Sequence, residues 1–287
     1  MSVESEQHRD WLWGLAYRMT GVAADADEIV QDTFVRALER PPDPGRPLRP
    51  WLTTVTLNLA RDRLRRRRRQ RYPGPWLPSP VPDEALADTR IMSRESATYA
   101  YLLSLEVLTP NQRAVLLLRD ALGLDVAETA ALLALSESNV KVLHHRARAA
   151  LARARSSGAA QGEPADLEIL GALLSAIGRG DAAAAAALLA PDAVAYNDGG
   201  GVYRAARVPI RGAAKIAAFF TNITRDPAEF RVGFGLYGGA PAVALALVTP
   251  TPRRAPLTLV TATLREGKIH RLYWILAPQK LSAVPAP

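Results

Sequence analysis

The sequence of 287 residues contains no cysteine and only four histidines. Disulfides, thiol catalysis and cysteine-ligated zinc are therefore excluded, and little material remains for any other metal site. The chain also lacks a run of 18 or more uncharged apolar residues, and its first residues, MSVESEQHRDW, hold no apolar segment of the kind that a signal peptide needs. We therefore expect a cytoplasmic protein without a cofactor, a metal ion or a membrane partner.

The positive charge of this chain is concentrated in one place. The net charge is +8, and the segment from Arg61 to Arg71 contains eight arginines but only one acid, Asp62. Such a cluster attracts phosphate backbones much more strongly than the same charge spread thinly. A solvated helix end and a polybasic membrane segment are the alternatives. The membrane alternative is disfavoured because residues 65–71 include no bulky apolar side chain.

Proline and small polar residues divide the chain into three modules. Ten of the 22 prolines lie in residues 41–50 and 73–82, where they prevent a helix from continuing. The small polar segment SSGAAQGEP, from Ser156 to Pro164, is typical of a flexible linker. The predicted modules are 8–72, 98–155 and 165–282, with a proline-rich linker over 73–97 and a second linker over 156–164.

The first module is predicted to be helical, with an acidic helix followed by a basic one. In the helix from Asp25, an apolar stripe is predicted to face the core at Val30, Phe34, Ala37 and Leu38. The opposite face carries Glu28, Gln31 and Asp32. The next helix, from about Trp51 to Arg69, is predicted to bury Leu52, Val55 and Leu59. Its other face presents Thr54, Asn58, Arg61 and Arg65.

The second module ends in a helix-turn-helix pattern. Thr109 and Pro110 fit a helix start, and Asp125 to Leu133 fits a short helix. Ser136 can cap a final helix that is predicted to bury Val140, Leu143, Ala147 and Leu151. A recognition helix needs short polar groups in its first turn and cations for the flanking phosphates. The predicted DNA-contacting residues here are Glu137, Ser138, Asn139, Lys141, His145, Arg146 and Arg148. A helical hairpin in a protein-interaction domain is the alternative.

The third module is predicted to be α+β, with helices first and antiparallel strands after them. A pocket in such a module could use Tyr196, Asp198, Tyr203, His270 and Tyr273 for acid–base chemistry or for ligand binding. The simpler interpretation is structural. Asp198 precedes three glycines and fits a turn, and His270 follows a hairpin turn, where a surface position is common.

Three segments together resemble a known family. DADEIVQDTFVRAL, WLTTVTLNLARDRLRRRRR and LTPNQRAVLLLRDALGLDVAETAALLALSESNVKVLHHRARAAL are similar to regions two and four of bacterial extracytoplasmic-function sigma factors, in the right order and spacing. The linker YPGPWLPSP, the NDGGG turn and the closing APQKL resemble the subgroup that carries a SnoaL-like extension. Four residues differ from the usual motifs of that subgroup: Ser79, Val202, Ala277 and Gln279.

The resemblance implies two all-α sigma domains and a cone-shaped α+β domain. It also implies that core RNA polymerase and promoter DNA are the partners. Asp25, Glu28, Gln31 and Asp32 would contact the polymerase. Asn58, Arg61, Arg65, Arg66 and Arg68 would face the −10 element, and the final helix would read the −35 element.

The sequence therefore predicts a non-enzymatic sigma factor that its extension regulates in cis. Trp76 and Leu77 are apolar side chains in a proline-rich linker that need a docking surface, and we expect them to mediate packing of the extension on the sigma domains. A small-molecule ligand is a further candidate partner. Two other hypotheses stay open from the residues themselves: a ligand-sensing helix-turn-helix regulator that does not join polymerase, and a pocket enzyme with a DNA-binding appendage.

Overall fold

The computed structural model describes residues 7–41, 43, 45, 47–86, 99–156, 162–224, 228–249, 251–252 and 254–287. Predicted linker residues 87–97 and 157–161, and loop residues 42, 44 and 46, lie outside these ranges. The chain divides into two compact units. The first comprises residues 1–71 and 84–160, and the second comprises residues 72–83 and 161–287. The two sigma-like modules thus form one unit, and the start of the predicted linker folds with the third module. Within the described residues, no helix combines the length and apolarity that crossing a membrane requires.

The described part of the first unit consists of helices and the turns between them. Its helices are α1 (Arg9–Thr20), α2 (Ala23–Glu39), α3 (Leu48–Arg69), α5 (Tyr99–Ser104), α6 (Pro110–Leu116), α7 (Val126–Leu133) and α8 (Glu137–Ser156). The short helix α4 (Asp83–Leu86) follows the described part of the linker, a 3₁₀ turn (Leu105–Val107) follows α5, and α6 continues as a π turn through Ala121. The predicted order of acidic helix, basic helix and helix-turn-helix is confirmed.

The basic helix α3 begins three residues earlier than predicted, because a proline in the first turn needs no intrahelical N–H bond. Its buried face also differs from the prediction. Leu52, Leu57, Ala60 and Leu64 are buried, whereas the predicted core residues Val55 and Leu59 are only half-buried.

The core stripe of α2 is shorter than predicted. Val30 and Phe34 join Leu12 and Leu52 in one core cluster, and Ala37 packs against its edge. Leu38 is 65% exposed, so its prediction as a core residue was wrong. The helix itself continues to Glu39, one residue beyond Leu38. Its last turn therefore extends past the packed cluster, and an apolar residue there is not buried.

Side-chain caps fix the start of each helix in the helix-turn-helix. The Gln112 N–H donates to Thr109 Oγ1 (3.3 Å), and the Glu128 N–H donates to Asp125 Oδ1 (2.8 Å). The predicted Ser136 cap is confirmed, since the Asn139 N–H donates to its Oγ (3.3 Å). These bonds satisfy amides that have no partner within their helix.

The described residues of the second unit form three α-helices that pack on a seven-stranded sheet. The helices are α9 (Leu167–Gly178), α10 (Ala182–Ala187) and α11 (Ala213–Ile223). The strands are β1 (Glu163–Pro164), β2 (Leu189–Asp198), β3 (Ile210–Arg211), β4 (Phe230–Tyr237), β5 (Ala240–Leu247), β6 (Leu257–Arg265) and β7 (Lys268–Ile275). The strand order is β3-β2-β7-β6-β5-β4, with β1 beside β6. β2 runs parallel to β7, and the other pairs are antiparallel. The predicted α+β class is confirmed.

The two faces of this sheet carry different contents. Val243, Val260 and Trp274 lie side by side on the face that the helices cover, where Trp274 stacks on Phe220 of α11 (ring centroids 4.4 Å apart). Asn197 pairs with Trp274 and therefore lies on the helix-covered face. Because successive residues of a strand alternate between faces, the Asp198 side chain lies on the opposite face. The linker meets the sheet on this second face, at Asp198.

Candidate functional site

The arginines of α3 contact the second sigma-like module as well as solvent. Arg61 is only 8% exposed, and its guanidinium donates to the Leu133 carbonyl at the end of α7 (3.3 Å) and to the Asn58 side chain. Burial, reinforced by the charge of Arg65, lowers the pKa of Arg61 from its ordinary value. Two predicted DNA-facing residues, Asn58 and Arg61, therefore lie beside the helix-turn-helix in this conformation.

A second contact between these modules centres on Glu106. Both carboxylate oxygens of Glu106 accept from Arg67 of α3 (2.9 Å each), and one accepts from Arg113 of α6 (2.6 Å). Arg113 is 2% exposed, and it also donates to the Arg18 carbonyl of α1 (3.2 Å). One carboxylate thus holds two arginines from different modules. We call Glu106, Arg67 and Arg113 the Glu106 cluster.

Four arginines of α3 are exposed: Arg65, Arg66, Arg68 and Arg69. Arg65 pairs with Asp62 on the same helix (2.7 Å), and Arg68 reaches the Leu108 carbonyl. The side chains of Arg66 and Arg69 also lie in the exposed part of α3. These positions keep cations at the helix surface, where they can meet phosphates.

The recognition helix α8 presents all of its predicted DNA-contacting residues to solvent. They are Glu137, Ser138, Asn139, Lys141, His145, Arg146 and Arg148. Val140, Ala147 and Leu151 are buried on the opposite face, as predicted, whereas Leu143 is only half-buried. His144 is half-buried and pairs with Asp120 (2.6 Å), so it belongs to the internal packing of this module.

The acidic face of α2 is partly paired within its own unit. Arg63 of α3 bonds to Asp25 (3.0 Å) and to Glu28. Gln31 and Asp32 are exposed. The predicted polymerase-binding residues thus divide into a pair that Arg63 partly neutralises and a pair that faces solvent.

The second unit contains a buried cluster that joins the linker to the sheet. The Asp198 side chain has no exposed surface and forms an ion pair with Lys280 from the end of the chain. Asp198 also accepts from the Tyr72 hydroxyl, from the Leu77 N–H (2.8 Å) and from the Gly200 N–H (3.1 Å). The bond from the Gly200 N–H confirms that Asp198 stabilises the glycine turn. The other bonds show that Asp198 also binds the linker and Lys280, which its position in the turn did not predict.

Lys280 completes this cluster by binding the linker directly. Its ammonium lies over the rings of Trp76 (4.2 Å) and Tyr72 (4.7 Å) and donates to the Leu77 carbonyl. Leu77 is 1% exposed and Trp76 is half-buried. Both predicted docking residues thus have their surface within the second unit. We call Asp198, Lys280, Tyr72, Trp76 and Leu77 the Asp198 cluster.

The predicted pocket residues do not converge on one point. Tyr196 stacks on Tyr273 (5.6 Å), and burial together with Tyr196 raises the pKa of the Tyr273 hydroxyl above its ordinary value. Tyr203 is half-buried in the loop after the glycine turn. His270 lies near the other end of β7: Asp198 pairs with Ile275, and five residues of strand span roughly 17 Å.

His270 also differs from the expected surface position. It is 3% exposed because it lies at a register shift in the β6–β7 ladder, where Arg265 contacts its Nε2 (3.1 Å). Burial and the charges of Arg271 and Arg265 lower the pKa of this imidazole from its ordinary value. The expectation of a surface histidine was wrong, and the residue is a packed, predominantly neutral side chain at pH 7.

Comparison with known proteins identifies three domains in this order. The family model of Sigma-70 region 2 matches residues 5–70, that of Sigma-70, region 4 matches residues 99–151, and that of the SnoaL-like domain matches residues 170–272. These matches agree with the helical modules and with the α+β module described above.

Relatives from Mycobacterium tuberculosis match nearly the whole chain. The ECF RNA polymerase sigma factor SigJ is 33% identical over 98% of this chain and 93% of its own length. The probable ECF RNA polymerase sigma factor SigI is 29% identical over 97% of this chain and 94% of its own length. The crystal structure of M. tuberculosis SigJ superimposes with a TM-score of 0.73, at 31% identity and with 99% of each chain covered.

Proposed function

Because this chain belongs to the extracytoplasmic-function RNA polymerase sigma factors, which direct promoter-specific transcription initiation, we propose that its SnoaL-like domain restrains initiation in cis by holding the linker between regions two and four. The observation that carries this proposal is the Asp198 cluster, in which a fully buried carboxylate and Lys280 bind both polar groups and rings of residues 72–77. Such a restraint acts on the step in which the two DNA-reading regions separate.

Promoter reading requires that separation. The −10 and −35 elements lie roughly 25 base pairs apart, which is about 85 Å along straight duplex DNA. In the structure, Arg61 of the region-two helix touches Leu133, four residues before the recognition helix begins. Two regions in this contact cannot occupy both elements, so the contacts of Arg61 and of the Glu106 cluster must open when the protein binds a promoter.

The linker limits how far the regions can move apart. Residues 72–98 could span at most about 90 Å if fully extended. With residues 72–83 fixed on the SnoaL-like domain, the remaining residues 84–98 span at most about 50 Å. Docking therefore removes nearly half of the adjustable chain and ties the rest to a folded domain.

The exposed part of the acidic face supports the polymerase contact. Gln31 and Asp32 face solvent, and Glu28 keeps most of its side chain exposed although Arg63 reaches it. A basic polymerase surface would compete with Arg63 for Asp25 and Glu28. These residues form the polymerase-binding surface of this proposal, and the protein acts in the cytoplasm, where polymerase is found.

The SnoaL-like domain is a regulatory extension in this proposal, with no enzymatic role. A pocket enzyme would bring Asp198 and His270 together. Asp198 of β2 instead lies beside Ile275 at one end of β7, and His270 lies near the other end. Asp198 is also fully engaged by the linker, Lys280 and its own turn.

Run-off transcription with core polymerase tests the restraint. The double variant Tyr72→Phe with Trp76→Ala releases the linker without removing a buried charge. A second variant inserts a flexible Gly-Ser segment after Arg90, which lengthens the tether and leaves the Asp198 cluster intact. Both should raise promoter-dependent transcription several-fold, because each restores freedom to separate regions two and four.

The matched control is Thr221→Ala, which removes a hydroxyl from α11 of the same domain, where it bonds only to carbonyls of its own helix. It should transcribe like the unmodified protein. Unchanged or lower output from both the release variant and the lengthened variant would disprove the restraint. Binding to core polymerase is a separate readout, which Glu28→Arg with Asp32→Arg should abolish and Glu39→Arg, at the far end of α2, should preserve.

A further inference from the structure

The edge strand β4 carries an apolar stripe that no other part of the described chain covers. Phe230, Val232, Phe234 and Leu236 are 39%, 48%, 62% and 51% exposed. They alternate along the strand and share one face, and Phe234 pairs directly with the fully buried Val243 of β5. The stripe therefore continues the helix-covered core face beyond the reach of α9, which packs on β5 and β6.

We propose that β4 is the interface for a second copy of this chain, paired antiparallel about Gly233. This goes beyond the transcriptional function and does not depend on it. β4 ends the sheet, with β5 on one side. Its other edge meets the linker at Tyr237, where Pro82 forms an isolated bridge and the Gly238 N–H donates to the Val81 carbonyl. Among the described residues, no strand pairs with the outer edge of residues 230–236, so this edge offers backbone donors and acceptors to another strand.

The strand is its own complement in this register. Residues directly opposite each other in an antiparallel pair lie on the same face. Centring the pair on Gly233 places Phe230 opposite Leu236 and Val232 opposite Phe234, twice over by symmetry. On the other face, Arg231 lies opposite Gly235, so no like charge opposes it. Shifting the register by one residue would place apolar side chains on opposite faces.

The area predicts a weak dimer. Four side chains of this size, each about half exposed, present roughly 350–400 Å² per copy, within the range of patches that are often functional. Two copies with their strand edges would bury about 1,000 Å², close to the lower limit for a specific interface. The stripe contains no charged residue that would select a different, oppositely charged partner. We therefore expect dissociation in the micromolar range.

Sedimentation of the full chain tests the interface. Between about 1 and 100 µM, the average mass should rise from one chain towards two. Phe234→Glu should remain monomeric throughout, because each dimer would bury two carboxylates in an apolar stripe. The control Val208→Glu changes an apolar residue that is 70% exposed and lies outside β4, and it should dimerise normally. Circular dichroism checks that both variants fold.

Crosslinking tests the register, since the chain has no cysteine of its own. Val232→Cys and Phe234→Cys should form a disulfide-linked dimer more efficiently when mixed than either does alone, because the proposed pairing places 232 opposite 234. A monomer at every concentration would overturn the proposal. A dimer that persists in Phe234→Glu, or that crosslinks equally well in unmixed samples, would place the interface elsewhere and overturn it as well.

Discussion

Two carboxylates, Asp198 and Glu106, each connect segments that are far apart in sequence, but they do so in different surroundings. The Asp198 side chain is fully buried, and its partner Lys280 is 2% exposed. The Glu106 side chain is 30% exposed, and of its two arginines Arg113 is buried while Arg67 is 18% exposed. Water can therefore replace part of the Glu106 contacts but little of the Asp198 contacts.

The difference indicates which contact opens first. Removing one partner of a buried ion pair leaves an uncompensated charge, at a cost of about 3–5 kcal/mol. Exposed pairs contribute less, about 0–1 kcal/mol, because solvent screens them. The Glu106 cluster lies between these limits. We infer that the contacts at Glu106 open before the linker leaves Asp198. We therefore call the Asp198 cluster the anchor and the Glu106 cluster the hinge contact.

The largest expected effect is that of Asp198→Asn. The amide keeps the shape of the carboxylate but removes the negative charge that pairs with the buried Lys280 ammonium. We expect the free energy of unfolding of the second unit to fall by about 3–5 kcal/mol, measured by urea denaturation, and the linker to become sensitive to protease. Asp192→Asn is the control, because Asp192 lies on the same strand with 59% of its side chain exposed. A decrease as small as that of the control would remove the distinction between anchor and hinge.

A smaller destabilisation is expected for Glu106→Gln. Arg113 would keep its bond to the Arg18 carbonyl but would have no counter-charge. Partial exposure of Glu106 reduces the cost to about 1–3 kcal/mol. Because the cost falls on the closed arrangement, the variant should also bind −10 DNA more tightly, as measured by fluorescence anisotropy. Asp62→Asn, which breaks an exposed pair on α3, should change neither quantity appreciably. Lower stability without tighter DNA binding would refute the hinge role.

The sequence predicted elements and exposed sites well because these depend on local patterns. Ser136 as a cap and the exposed face of α8 follow from capping chemistry and from periodicity. The three-segment resemblance supplied the domain order, which the family models confirm. Neither source required knowledge of which segments meet in space.

The two clusters could not be predicted, since their partners are distant in sequence. Lys280 and Leu77 are 203 residues apart, and Arg67 and Glu106 are 39 residues apart. Nothing in an arginine run distinguishes Arg67, which binds Glu106, from Arg66, which faces solvent. The same limitation explains His270: its position after a hairpin turn favours the surface, but a register shift in the β6–β7 ladder buries it.

Salt dependence of DNA binding separates the arginines that only the structure distinguishes. Arg66→Gln with Arg69→Gln should lower the slope of log affinity against log salt by about 0.9 for each phosphate that is no longer neutralised, with little change in stability. Arg67→Gln should lower the stability and leave the salt slope nearly unchanged, because the Arg67 guanidinium already donates to Glu106 and to the Thr20 carbonyl. Filter binding over a salt series measures the slope. If Arg67→Gln flattened it as much as the exposed pair, Arg67 would have to leave the Glu106 cluster on binding DNA.

The smallest expected effect is a pH dependence confined to the second unit. The pKa of His270 is lowered in the folded state by burial and by Arg271 and Arg265, so the unfolded chain binds the proton more readily. The stability that His270 contributes is complete above about pH 6.5 and is lost as the pH falls from there through the folded pKa. Urea midpoints of the second unit should therefore fall more steeply between pH 7.5 and 5.5 in the unmodified protein than in His270→Gln. His145→Gln, on the exposed face of α8, is the matched control and should retain the original pH dependence. If the urea midpoint depended equally on pH in all three proteins, the His270 imidazole would bind protons in the folded state as readily as in the unfolded state. Acid would then not weaken the second unit, which contains the Asp198 cluster, in preference to the Glu106 cluster.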